Sequence, residues 1–253
     1  MFLPVRDRLP TRTFPFINYL LIVANVLGFF WENALVEAGY ASIVPDFGFV
    51  PSHFLASPIT MAPTILTSMF MHGGWVHLGG NMLALWIFGD NVEDSLGHFR
   101  YLAFYLLGGI AAALTQMAVG PNSSVPMVGA SGAIAAVMGA YLTLYPRSPI
   151  TVLNPVPLLW FFFGLFFELP AWVVVGEFFI LNLLSGKQAL DLESRGLDTG
   201  GVAFFAHVGG FVAGLVLSRL LMAGRARVKV DPGGWRPPPK RSISEWEEPR
   251  YYR

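Results

Sequence analysis

A chain of 253 residues with 54% hydrophobic and only 13% charged side chains carries about half the charge of an ordinary soluble domain, and it reads as a membrane protein. Its 16 Lys and Arg balance 16 Asp and Glu, which removes the basic footprint that nucleic-acid binding requires. The absence of cysteine excludes a disulfide framework, thiolate metal sites and a thiol nucleophile.

Uncharged stretches mark the spans in chain order. Thr13 to Trp31 has no charged side chain, and about 20 apolar residues suffice to cross a bilayer as a helix. This first span is too long, and lacks the small-residue cleavage site, for a removable signal peptide. Residues 32–68, with Pro45, Pro51, Pro58 and Pro63, predict a structured loop containing one short interfacial helix. Trp75 to Phe88 is the second span, followed by Asp90, Glu93 and Asp94. Tyr101 to Pro146 has no acidic or basic residue, but the turn chemistry of Gly120 to Pro126 divides it into Tyr101 to Val119 and Gly129 to Tyr145. Pro170 to Leu184 is the fifth span, with the aromatic run Trp160 to Phe167 at the inner interface, and Gly200 to Met222 is the sixth.

Basic residues orient this array, because loops rich in Lys and Arg stay on the cytoplasmic side. Arg6, Arg8 and Arg12, then Arg100 and Arg147, then Arg225, Arg227 and Lys229 all fall on one side of a six-span chain. The expectation is an all-α polytopic membrane protein with both termini cytoplasmic. Residues 1–12 form a cytoplasmic segment, 13–222 the membrane domain, and 223–253 a disordered Pro- and charge-rich tail.

Ionisable and amide side chains are costly inside a bilayer, so the few present are functional candidates. They are His77, Asn81, Gln116, Ser131, Glu177 and His207. His77 and Asn81 stand at i and i+4 and share a helix face. With this topology they lie in the outer third of span two, Ser131 lies just inside the outer end of span four, and His207 lies about two turns into span six. Four groups on three helices share one depth. Gly129, Ala130 and Gly132 around Ser131, and Gly209, Gly210 and Gly214 after His207, let helices approach closely and would pack span six on span four. A serine needs a base within hydrogen-bond reach to become a nucleophile. Span six has no carboxylate to orient the histidine, so the residues suggest a Ser-His dyad. Gln116 reads as interhelical glue; Glu177 is either hydrogen-bonded within the bundle or faces the cavity above the dyad.

These motifs resemble the rhomboid intramembrane serine proteases of prokaryotic type. The resemblance rests on Gly129-Ala130-Ser131-Gly132, on His72, His77 and Asn81 spaced His-x4-His-x3-Asn, and on Ala206-His207-x2-Gly210-x3-Gly214, and it covers roughly Phe14 to Met222. It implies a six-transmembrane-helix rhomboid-like bundle in which Ser131 is the nucleophile and His207 the base. The Asn81 amide, the His77 imidazole and the Ser131 backbone N–H would bind the oxyanion, with His72, Gly129, Gly132 and Gly210 in support. It implies no cofactor and no metal, transmembrane proteins as substrates within the lipid bilayer, and residence in the bacterial cytoplasmic membrane with the active site opening outward. Two features of some members are missing: the aromatic residue four positions after the serine is Ala135 here, and the first outer loop holds no Trp-Arg pair.

Other readings predict different sequences. A serine among glycines is ordinarily a packing residue, but not one matched in depth by His207, His77 and Asn81. No His-Glu-x-x-His motif and no paired intramembrane aspartates are present. A transporter would show inverted repeats with polar groups at the midplane. A non-catalytic binder of transmembrane helices on the same fold is the remaining alternative, and such proteins usually lack the Ser or the His.

Overall fold

The computed structural model describes residues 2–40, 42–154, 156, 160, 164–193 and 203–222. The 194–202 segment and the 223–253 tail lie outside them. Among the described residues six long helices form a bundle: α1 (Phe16–Glu37), α5 (Trp75–Leu96), α6 (His98–Val119), α7 (Ser131–Leu144), α8 (Ala171–Glu193) and α9 (Phe204–Leu221). Four of them, α1, α6, α8 and α9, are long and apolar enough to cross a membrane. Helix α7 has only 14 residues, yet its positions from Gly132 to Tyr141 are all buried; it is the central post against which α5, α6, α8 and α9 pack.

Close approach to α7 depends on small residues. A Cβ at Gly210 would strike the carbonyl oxygen of Gly132, and one at Gly214 that of Ala136, so α9 lies directly on the α7 backbone. Such contact replaces the hydrophobic drive that lipid cannot supply between helices. A Cβ at Gly108 of α6 would likewise come 2.5 Å from the Ala136 Cβ.

Helix α5 runs to Leu96, two turns past the end predicted at Phe88, because the carboxylates that follow are satisfied by α1. Buried Glu93 accepts hydrogen bonds from the backbone N–H groups of Ile17 (3.0 Å) and Asn18 (2.7 Å), capping a helix N-terminus that has no side-chain cap of its own. Asp94 accepts from the Thr13 hydroxyl at 2.7 Å and pairs with Arg12 at 2.9 Å.

The all-α expectation needs correction. Strands β1 (Leu3–Asp7), β2 (Pro149–Leu153) and β3 (Phe166–Pro170) form an antiparallel sheet in the order β1-β2-β3. Leu3 stands opposite Leu153 and Asp7 opposite Ile150; Pro149 stands opposite Pro170. Alternation puts Ile150 and Val152 in the core. Residues 3–7 are therefore part of the fold. Within the aromatic run, Phe166 and Phe167 belong to β3, and 161–163 lie outside the described residues. The Phe2 N–H donates to Glu177 Oε2 at 2.9 Å, so Glu177 ties the first residues of the chain to α8 and is not directed at the dyad.

The segment after α1 holds three short helices where one was expected: α2 (Ile43–Phe47), α3 (Pro51–Ala56) and α4 (Pro58–Thr67). Pro51 and Pro58 each occupy a first helical turn, where a missing N–H costs nothing. Without a Trp-Arg pair, this segment is anchored by backbone: Phe49 and Met127 exchange N–H···O bonds of 3.0 and 2.8 Å, Ser52 N–H donates to the Ser123 carbonyl at 3.0 Å, and the Trp31 and Phe47 rings meet edge-on.

Candidate active site

At the end of the bundle opposite the sheet, three helices begin within reach of one another. Ser131 is the first residue of α7, His77 is in the first turn of α5 with Asn81 in the second, and His207 is in the first turn of α9. Helix α9 starts at Phe204 rather than Gly200, which brings His207 nearer its end than predicted. Each helix N-terminus directs unsatisfied N–H groups and the positive end of its dipole toward this point. The first hydrogen bond of α7 runs from Ile134 N–H to the Ala130 carbonyl, so the Ser131 N–H precedes the helical ladder.

Ser131 Oγ and His207 Nε2 are 2.7 Å apart. That is the distance at which the imidazole can take the hydroxyl proton. The backbone enters Ser131 through Gly129, which has φ +121° and accepts no side chain without strain. A Cβ there would also lie 2.7 Å from His77 Nε2 and 3.6 Å from Asn81 Nδ2. His77 and Asn81 thus both border the loop that leads into the serine. The Gly129 N–H is pinned to the Ser68 carbonyl at 2.8 Å, at the start of the segment linking α4 to α5.

Asn81 is buried and donates through Nδ2 to His72 Nε2 at 2.9 Å. One of its two amide hydrogens is committed there, which leaves the second to be directed elsewhere. His72 is fully buried, its backbone N–H donates to Glu32 Oε2 at 3.0 Å, and its ring meets His77 edge-on. The residue therefore acts on Asn81 and not on the serine. Gln116 accepts the Ala206 N–H at 3.1 Å and so fixes the start of α9.

Two residues absent from the motifs touch His207. Asn182 of α8 places Oδ1 2.5 Å from Nδ1, and the Phe178 ring, one turn earlier, sits 5.9 Å from the imidazole. An aromatic neighbour for the histidine thus comes from α8, whereas the position four residues after the serine is Ala135. Asn182 could have been noticed as an amide at the outer end of span five, level with the other four groups. A cavity of about 40 Å³ lies beside Ser131, bordered by Met69, Gly109, Ala112, Gly132 and Ala206 among others.

Residues 60–224 match the family model described as "Rhomboid domain". Rhomboid protein 1, mitochondrial, of Saccharomyces cerevisiae is 29% identical over 191 residues, 70% of this chain and 48% of that protein. Rhomboid protease GluP of Bacillus subtilis is 33% identical over 128 residues, 51% of this chain and 24% of its own length. Rhomboid-like protein 11, chloroplastic, of Arabidopsis thaliana is 33% identical over 161 residues, 62% of this chain and 51% of that protein. The matched segments thus span between about a quarter and about half of these relatives. Mitochondrial and chloroplast proteins stand among them beside a bacterial one, which lends no support to the bacterial cytoplasmic membrane in particular.

Proposed function

The chain belongs to the rhomboid family and is an integral membrane protein, and from these premises we propose that it is an intramembrane serine endopeptidase. The observation that carries the reading is the 2.7 Å contact between Ser131 Oγ and His207 Nε2. Ser131 attacks the scissile carbonyl while His207 takes its proton; the imidazolium then returns that proton to the departing amine. Water, activated by the same nitrogen, releases the acyl group. The second Asn81 amide hydrogen, the His77 imidazole and the Ser131 N–H at the α7 N-terminus are the donors proposed for the oxyanion, and such donors typically contribute about 3 kcal/mol each. His72 holds Asn81 in register, and Gly129, Gly132 and Gly210 permit the close backbone approach.

All six long helices cross the bilayer in this reading, with the sheet end cytoplasmic and the site end outward. A peptide bond in a helix is shielded by its own hydrogen bonding, so a substrate must unwind before Ser131 can attack. In lipid this exposes backbone groups at several kcal/mol each unless the enzyme supplies donors and water. Substrates are therefore single-span proteins whose outer transmembrane end contains Gly, Pro or polar residues that weaken the helix. The cavity beside Ser131 fits a methyl-sized side chain, in keeping with a small residue at the cleaved position.

The test is labelling of the purified protein with a fluorophosphonate and cleavage of a transmembrane substrate. Ser131→Ala and His207→Ala should each abolish cleavage, and the double variant should be no worse than either, because such residues act as a unit. Chelators should have no effect. Substantial cleavage by Ser131→Ala, or loss on chelation, would place the protein in another catalytic class.

A further inference from the structure

Asn182 belongs to none of the three motifs and sits on α8, a helix that carries none of them. Its Nδ2 donates to the Phe178 carbonyl at 2.8 Å, one turn back along the same helix. This bond determines which way the amide faces. Its oxygen must point the other way, and it does so 2.5 Å from His207 Nδ1. An amide oxygen can only accept, so the proton of the neutral imidazole resides on Nδ1. Nε2 is then the nitrogen with the lone pair, and Nε2 is the one that faces Ser131 Oγ at 2.7 Å.

We infer that Asn182 is the positioning residue for His207, selecting the tautomer that can act as a base and holding the ring against the serine. The inference rests on the roles proposed above for Ser131 and His207. Without an acceptor at Nδ1 the proton distributes between the two nitrogens, and the fraction carried on Nε2 cannot accept from Ser131. When His207 becomes imidazolium, the same oxygen receives a hydrogen bond from a charged donor, which is stronger than one from a neutral donor. An amide does this without a second buried charge, and a carboxylate inside a membrane bundle would be costly unless paired. The Phe178 ring packs on the imidazole from the same face of α8, so one helix turn both covers and orients the base. Asn residues in membrane helices also serve as simple interhelical ties, and the experiment must separate the two roles.

Asn182→Leu, Asn182→Ala and Asn182→Asp are compared with the parent protein in detergent by fluorophosphonate labelling, by the kcat and KM of substrate cleavage, and by NMR of histidine ring nitrogens. Removing the acceptor should slow labelling and lower kcat by about 100-fold, the scale of general-base catalysis, while KM stays within about twofold. The His207 signals should lose their Nδ1–H character in Asn182→Leu and Asn182→Ala. Asn182→Asp retains an acceptor and should recover to within about tenfold of the parent. Parent-like labelling with an unchanged tautomer in folded Asn182→Leu or Asn182→Ala would overturn the inference. So would equal losses in Leu and Asp variants with the tautomer preserved, the signature of a merely structural tie. If the parent itself is not labelled, the protease reading fails, and the ring-nitrogen spectra still decide whether Asn182 sets the tautomer.

Discussion

Asn81 carries two demands at once. It satisfies buried His72 through one amide hydrogen and in the proposed mechanism offers the other to the oxyanion. Asn81→Ala should therefore cost about 1–3 kcal/mol of stability, since His72 Nε2 is left buried without its donor. It should also slow cleavage by about 100-fold or more. Thermal unfolding and cleavage kinetics measure the two effects separately, and a stability loss with a parent-like rate would leave Asn81 purely structural. At the opposite end, Asp7 accepts from Asn91 Nδ2 at 2.6 Å and from the Tyr141 hydroxyl at 2.9 Å. Burial, and then the nearby charge of Asp90, push its carboxyl up to about 7, against the smaller opposing pull of Tyr141 and Arg6. A folded-state value above the unfolded one means that the folded protein holds the proton more tightly. That stabilisation is complete below about pH 4 and is lost as pH rises through about 7. The unfolding midpoint should fall across this window in the parent and less steeply in Asp7→Asn; equal slopes would remove Asp7 from the account.

Among the four apolar helices long enough to cross a membrane, α8 is the least buried: 17% of its most apolar window is buried, against 22% for α1, 28% for α9 and 33% for α6. It is the least enclosed of the four, and if a substrate enters from the lipid, α8 is the helix expected to swing aside and admit it. A Cβ at Gly186 would lie 3.3 Å from the Phe204 Cβ, close to the separation of about 3.5–4.5 Å that a disulfide spans. The chain has no cysteine of its own, so Gly186→Cys with Phe204→Cys forms one defined lock between α8 and α9. Oxidation should leave fluorophosphonate labelling intact and reduce cleavage of a transmembrane substrate by about tenfold or more, as expected when a gating motion is blocked. Reduction should restore it. Equal cleavage in both states would mean that α8 does not gate entry. The strands escaped sequence reading for a reason of scale: β1 and β2 are five residues each and lie far apart in the chain. Neither is long enough to be distinguished by its own pattern.

For the whole molecule, the six-span reading makes a direct topological claim. Reporters fused after Gly120 and after Lys229 should report opposite sides of the membrane, because basic loops resist translocation; the same side for both would refute the arrangement. The bundle divides its polar groups between its two ends. Near the sheet, Arg12, Asp94, Glu93 and His98 clamp the starts of α1 and α6. At the other end, Ser131, His207, His77 and Asn81 meet where α5, α7 and α9 begin.

Membrane residence, the long apolar helices and the polar set Ser131, His207, His77 and Asn81 were legible in the sequence, because a bilayer penalises polar groups so heavily that each one kept in a span stands out. Gly210 and Gly214 likewise announced the contact of α9 with α7, since small residues repeating on one helix face have few other uses in lipid. Four features required the folded chain. Asn91 meeting Asp7, Phe2 meeting Glu177 and the pairing of β1 with β2 join distant segments through backbone or amide contacts, which leave no local pattern. Asn182 is the clearest case: its role follows from which way one amide points, and that is set by the Phe178 carbonyl and the His207 ring together. Polarity is a property of a residue and can be read from its letter, whereas the direction of a hydrogen bond belongs to a pair and exists only once the helices have packed.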